Sequence, residues 1–440
     1  MRVLMFGWEF PPHITGGLGT ACYGMCRGLL AQGVEVIFTA PKLYGDEDQG
    51  VARMVSADQV EVDLRHPMYE SWWKNLTYIQ IGANLIPYVG LDDYFSLHNR
   101  SESGSWQSGE VSAKRRFTFS GQYKQNLMEE VERYAMVAST VASQQQFDVI
   151  HAHDWLTYMA GIAAKRVSGK PLVIHVHATE FDRTGENVNT RVFDIERRGM
   201  LAADRIITVS NYTRDIVIHR YGIPAEKVHT VYNAVEPSAV EPAVEAQPVA
   251  ATRAKRGKAV PKRKIVTFLG RVTYQKGPEY FVEAARLILQ RDPSVHFVMA
   301  GSGDMFNRIV ERVAALQLGS HFHFAGFLKG PEVDRMFRMS DVYVMPSVSE
   351  PFGISPLEAM RSNVPVVISK QSGVSEILEH ALKIDFWDVD AMADAIYGLL
   401  HYPPLSTMFR RYGAEEVDRL KWENAAKHLL QVYEAAVNDR

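Results

Sequence analysis

A chain of 440 residues with 46% hydrophobic residues exceeds what one ordinary core needs, and predicts two domains that each bury their own apolar side chains. The formal net charge of −3 supplies no overall basic field of the kind that neutralises a phosphate backbone, so nucleic acid is excluded as the expected partner and a small or neutral ligand is favoured. The two cysteines, Cys22 and Cys26, stand one helical turn apart in an apolar segment, which excludes a disulfide framework and predicts core thiols in a reducing, cytoplasmic setting.

The chain opens MRVLMFGWEFPP, with one positive charge and an apolar run too short for a signal sequence. No later apolar stretch approaches the length of a membrane span, so no stable membrane insertion is expected. Short β-branched runs at 2–6, 34–40, 149–153, 172–177, 205–209 and 228–232 alternate with helical periods, the pattern of a parallel, doubly wound sheet. The region 41–121 breaks that alternation and reads as an insertion. Its one clear strand candidate is 76–81, and Trp72, Trp73, Tyr88, Tyr94 and Trp106 are candidates for stacking on sugar rings or for ordinary packing. Residues 1–235 thus form the first domain. Residues 236–264, where Pro, Ala, Val and Glu give way to RAKRGKAVPKRK, read as a flexible linker. The alternation restarts at 265–270 and continues at 296–300, 322–326, 342–345, 364–368 and 382–384, giving a second α/β domain at 265–400. Helices in 401–440 are expected to pack across the two.

The candidate chemistry lies where strands end. Gly16 and Gly17, in Thr15-Gly16-Gly17-Leu18-Gly19, follow the first strand and open an apolar helix, where backbone N–H groups can approach an anionic ligand. Gly270-Arg271 ends the first strand of the second domain and Lys276-Gly277 precedes its next helix. Both cations therefore reach the carboxyl edge of that sheet, where open α/β sheets bind ligands. There they would stabilise the charge of a departing diphosphate without a metal. Glu350-Pro351-Phe352-Gly353-Ile354 places one carboxylate before a glycine turn, and Glu358 follows eight residues later on a helix. Carboxylates suit sugar hydroxyls, and the N–H groups of Phe352, Gly353 and Ile354 suit phosphate. His151-Ala152-His153-Asp154 and His175-Val176-His177 close adjacent strands. Their i, i+2 spacing is unlike a compact zinc signature, so substrate hydrogen bonding by part of the set and core roles for the rest are expected, with no metal site.

These motifs, with WEFPP…GGLGTACYG and HAHDW, resemble the retaining GT-B glycosyltransferases, in particular the glycogen and starch synthase group and its family 4 relatives. The resemblance covers nearly the whole chain. It implies two Rossmann-like domains facing a deep cleft, a nucleotide diphosphate sugar as donor substrate, and a glucan or other carbohydrate as acceptor, with no further cofactor. Carried over by motif, Arg271 and Lys276 would hold the donor phosphates, Glu358 the ribose and Glu350 the sugar hydroxyls, with His177 beside the sugar and Asp154 lining the cleft. Retention would follow from departure and attack on one face, with the leaving phosphate taking the acceptor's proton. Synthases using ADP-glucose carry a lysine two residues before the double glycine, where this chain has Ile14. The expected activity is glucosyl transfer from ADP-glucose or UDP-glucose to an α-1,4-glucan. Transfer to an envelope, lipid-linked or small-molecule acceptor and sugar nucleotide 2-epimerisation are the alternatives.

Overall fold

The computed structural model describes residues 1–14, 16–63, 114–121, 123, 127–235 and 263–439. The first sheet contains β1 (Arg2–Phe6), β2 (Glu35–Ala40), β3 (Arg53–Ser56), β6 (Val149–His153), β7 (Leu172–Val176), β8 (Arg205–Thr208) and β9 (Val228–Thr230), in the order β3-β2-β1-β6-β7-β8-β9. Short β4 (Val62–Asp63) and β5 (Lys114–Arg115) form a separate antiparallel pair. The second sheet contains β10 (Lys264–Leu269), β11 (Val295–Ala300), β12 (Phe322–Gly326), β13 (Val342–Met345), β14 (Val366–Ser369) and β15 (Leu382–Ile384), in the order β12-β11-β10-β13-β14-β15. Every pairing in both large sheets is parallel.

Parallel sheets covered on both faces need apolar side chains on both, and the strands supply them. Leu4, Phe6, Ile150 and Ala152 enter the core on one side of the first sheet, while Val3, Met5 and Val149 enter the core on the other. In the second sheet Val342 and Val344 face one core and Tyr343 and Met345 the opposite one. Cys22 and Cys26 are free, buried residues of the first sheet's core, on helix Gly17–Ala31.

The structure adds a strand within 41–121 and moves one boundary of the linker. Among the described residues of 41–121, a strand that the alternation did not mark lies at Arg53–Ser56, pairing in register with Ile37 to Ala40. As a partly exposed edge strand of sequence RMVS it carries no apolar run to mark it. Lys264, read as the end of the linker, already pairs with Val295 in the second sheet. The remaining linker residues 236–262, the strand candidate 76–81 and the aromatics Trp72, Trp73, Tyr88, Tyr94 and Trp106 lie outside the described residues.

Helix Pro403–Val417 stays with the second domain. Trp422–Asn438 crosses to the first, where the Trp422 indole packs directly on Gly24 and the Tyr433 hydroxyl lies 2.7 Å from His151 Nδ1. The domains also meet at the edge of the cleft. Ser210 Oγ donates to the Pro351 carbonyl at 2.5 Å, and the Glu376 carboxylate accepts the N–H groups of Asn211 and Tyr212 at 2.9 and 2.6 Å. Those amides begin helix Asn211–Tyr221, so the Glu376 charge also complements its dipole. Gly373 makes this junction possible: a Cβ there would stand 2.2 Å from the Pro351 oxygen and 2.4 Å from Ser210 Cβ. Gly373→Ala is therefore expected to wedge the domains apart and lower stability by about 1–3 kcal/mol, the usual range for overpacking. Thermal unfolding and small-angle scattering would check it, and unchanged values in both would contradict the contact.

Candidate active site

The strand orders place a topological switch point in each sheet, between β1 and β6 in the first and between β10 and β13 in the second. At such points neighbouring connections leave in opposite directions and open a crevice at the carboxyl ends of the strands. Gly16 and Gly17 follow β1, Asp154 follows β6, Arg271 and Lys276 follow β10, and Glu350 follows β13. His177 follows β7, the next strand along.

In the second domain, the Lys276 ammonium and the Glu350 carboxylate form an ion pair through Oε2, and Ser347 Oγ donates to the same oxygen at 3.2 Å. The Glu350 side chain is 8% exposed and that of Lys276 20%. Backbone pairing fixes the carboxylate: Glu350 N donates to Gln371 O and Gly373 N to Glu350 O, each at 2.9 Å. Exposed Arg271 donates to the side-chain oxygen of buried Gln275 at 3.3 Å, and the Gln275 backbone carbonyl accepts from Val348 N at 2.9 Å. The loops after β10 and β13 are thereby locked together.

Phe352 is buried in the second domain's core with Met345 and Leu357, so its ring anchors the turn. Gly353 and Ile354 lead into helix Ser355–Arg361, whose start has no side-chain cap. Half-buried Glu358 lies on that helix, and loss of solvent pushes its carboxyl upward against the pull of Arg361.

In the first domain Asp154 adopts a positive φ of 57°, and its carboxylate reaches the end of the neighbouring strand. Its Oδ1 accepts His177 N at 2.7 Å and Ala178 N at 3.3 Å. Burial pushes the Asp154 carboxyl up to about 6, opposed by Arg183, these backbone donors and, from the other domain, Arg271. His177 is half-buried at the strand end, with Nε2 at 2.9 Å from His153 Nδ1. Burial lowers it to about 3, leaving a neutral ring. Gly16 and Gly17 are exposed, with nothing near the position a Cβ would take, at a helix start without a side-chain cap. Ile14 packs inward against Gly19, and neighbouring His13 is bonded to Asp46 at 2.7 Å and stacked on Tyr44.

The structure also brings in residues that the motif reading passed over. Asp182 caps helix Glu180–Thr184 through a box with Thr179, its Oδ2 accepting the Thr179 amide and hydroxyl, both at 2.7 Å. Its other oxygen accepts Ser349 Oγ at 2.6 Å across the cleft, and Tyr212 OH lies 2.9 Å from that same Oγ. The spacing Thr179-Glu180-Phe181-Asp182 is a legible capping signal, although nothing in it announces a partner on the other domain. Asp182→Ala is expected to cost about 1–2 kcal/mol through the lost cap. Ser349→Ala should leave stability within about 0.5 kcal/mol while removing the cross-domain bond. Paired thermal melts would check this, and equal losses in the two variants would contradict it.

Two doubly wound domains meeting across such a cleft constitute the GT-B architecture. Residues 251–416 match the family described as glycosyl transferases group 1, and residues 112–239 match glycosyltransferase family 4. An uncharacterized glycosyltransferase of Methanocaldococcus jannaschii is 28% identical over 445 residues, 99% of each chain. A glycogen synthase of Mycobacterium tuberculosis is 24% identical over 99% of this chain and 95% of its own. An alpha-maltose-1-phosphate synthase of Mycolicibacterium smegmatis is 30% identical over 65% of this chain and 78% of its own. The solved structure of sucrose-phosphate synthase from Thermosynechococcus elongatus shares the fold with a TM-score of 0.71, at 18% identity over the full length of both chains. The chain belongs to the group 1 glycosyltransferases, of the family 4 type and GT-B fold. No helix among the described residues is long and apolar enough to cross a membrane.

Proposed function

We propose that the protein transfers glucose, with retention of configuration, from ADP-glucose or UDP-glucose to an α-1,4-glucan. The observation that carries this reading is the Lys276–Glu350 ion pair at the second sheet's switch point, with Arg271 beside it. An ammonium has three donors; one is spent on Glu350, and two remain for diphosphate oxygens. The Arg271 guanidinium supplies a second charge as the phosphate leaves. Glu350 Oε2 is held by Lys276 and Ser347, which leaves Oε1 for sugar hydroxyls. Glu358 is the acceptor for ribose hydroxyls, and the N–H groups of Phe352, Gly353 and Ile354, with Gly16 and Gly17 opposite, face the phosphates.

His177, neutral and oriented by Asp154 through its backbone N–H, offers a hydrogen bond to the sugar from the first domain. No protein nucleophile is assigned: the leaving phosphate takes the acceptor's proton while attack occurs on the face it departs, and the site acts by orientation and charge. The inward packing of Ile14 and the His13–Asp46 bond leave the diphosphate to be held mainly from the second domain. The relatives named for glycogen and maltose-1-phosphate synthesis support glucose as the sugar and a glucan or related acceptor.

The reading is tested by carbon-13 NMR of the product formed from each donor labelled at the glucose C1, with glycogen as acceptor. An α-linked label in the polymer is expected. A β-linked label contradicts retention, and label appearing only as free glucose or an epimerised donor contradicts glucan synthesis. Arg271→Ala should lower turnover about ten- to a thousandfold in the same assay; near-normal turnover would refute its place on the diphosphate.

A further inference from the structure

Behind His177 lies a cluster that the transfer reaction does not use. His151 and His153 project from one face of β6, and His175 stands beside His153 on β7, in direct register. The rings of His151 and His153 are 4.1 Å apart, and those of His151 and His175 are stacked at 5.3 Å. All three residues are at most 1% exposed.

Their hydrogen bonding is incomplete in a particular way. His151 Nδ1 faces the Tyr433 hydroxyl at 2.7 Å and His153 Nδ1 faces His177 Nε2 at 2.9 Å. The Nε2 atoms of both rings, and both nitrogens of His175, are buried without a hydrogen-bond partner among the described residues. One ligand nitrogen from each of the three rings lies within 4.8 Å of the other two. An unpartnered buried imidazole nitrogen bears its full desolvation cost, and three such rings with nitrogens this close together call for a shared partner. With Nδ1–H as the donor, to the Tyr433 oxygen in His151 and to His177 Nε2 in His153, Nε2 of each ring carries the lone pair, the way a metal-binding imidazole is oriented by a bond at its far nitrogen.

We propose that His151, His153 and His175 bind one divalent transition-metal ion of the zinc class, in a structural role. Three neutral imidazoles without a carboxylate suit zinc, cobalt, nickel or copper and do not suit magnesium or calcium, which take oxygen ligands. The ion would tie β6 to β7 immediately before Asp154 and His177, and through Tyr433 it would tie both strands to the final helix. Because the site is enclosed, the metal is acquired as the chain folds.

The test is metal content of the full chain, so it is independent of the transfer activity. Protein produced in zinc-supplemented medium and dialysed against EDTA is expected to retain about one zinc per chain by elemental analysis. The His151→Gln/His175→Gln double variant should retain less than about a tenth of that. His13→Ala, in the cluster of exposed His13 and Asp46 with buried Glu47, should retain it all. Protein produced with cobalt in place of zinc should show the visible absorption of a nitrogen-ligated tetrahedral site, lost in the single variant His175→Asn. Zinc-free unsubstituted protein overturns the proposal whether or not the variants fold, and leaves buried water as the partner of these nitrogens. Zinc that survives in the double variant, or that is lost in His13→Ala, also overturns it.

Discussion

Lys276→Ala is expected to lower turnover of the nucleotide sugar by about two to three orders of magnitude, the usual consequence of removing a preorganised charge from a developing anion. It should also destabilise the second domain, because Glu350 would remain nearly buried with only Ser347 as a side-chain donor. Partial exposure of the lysine moderates that penalty to about 1–3 kcal/mol. The double variant Lys276→Ala/Glu350→Gln separates the effects. Removing the orphaned charge should recover most of the stability but none of the turnover. Thermal unfolding and donor-turnover assays on the three proteins check this, and recovery of turnover in the double variant would mean that the pair is structural alone.

Gly277→Ala should be the most destabilising single change in the loop that carries Lys276. Gly277 has φ of 64°, and a Cβ there would stand 2.0 Å from the Pro346 carbonyl oxygen. A methyl group must therefore adopt an unfavourable backbone conformation and push apart the loops following β10 and β13, the two that supply Arg271, Lys276 and Glu350. Strain and overpacking together predict a loss of about 2–4 kcal/mol. Turnover should fall with it at temperatures where the variant is still folded, because the backbone displacement is comparable with misplacements that cost about a hundredfold. Chemical denaturation and turnover assays measure both, and a variant of unchanged stability would contradict the described loop contact.

Much of this architecture is legible in the sequence because parallel strands buried on both faces leave continuous apolar runs such as RVLMF and VHFVMA. The positions of Asp154, Arg271, Glu350 and Lys276 near strand ends could be read for the same reason: each lies one to seven residues beyond such a run. Edge strand Arg53–Ser56 was not legible, since a half-exposed edge needs no apolar run. The bonds from Asp182 to Ser349, Ser210 to Pro351 and Glu376 to the helix start at Asn211 span 141 to 167 residues of sequence, beyond any local pattern. The four histidines were visible as two spaced pairs. What could not be read was that the strands stand in register, so that His153 faces His175 and unpartnered nitrogens converge.

The most direct test of nucleotide-sugar transfer at this cleft is release of UDP or ADP from UDP-glucose and ADP-glucose, each with and without glycogen, by the unsubstituted protein and by Lys276→Ala. The account predicts that one donor releases its nucleotide in a glycogen-dependent manner and that Lys276→Ala abolishes most of that release. Release that is indifferent to glycogen, or undiminished in Lys276→Ala, would contradict it.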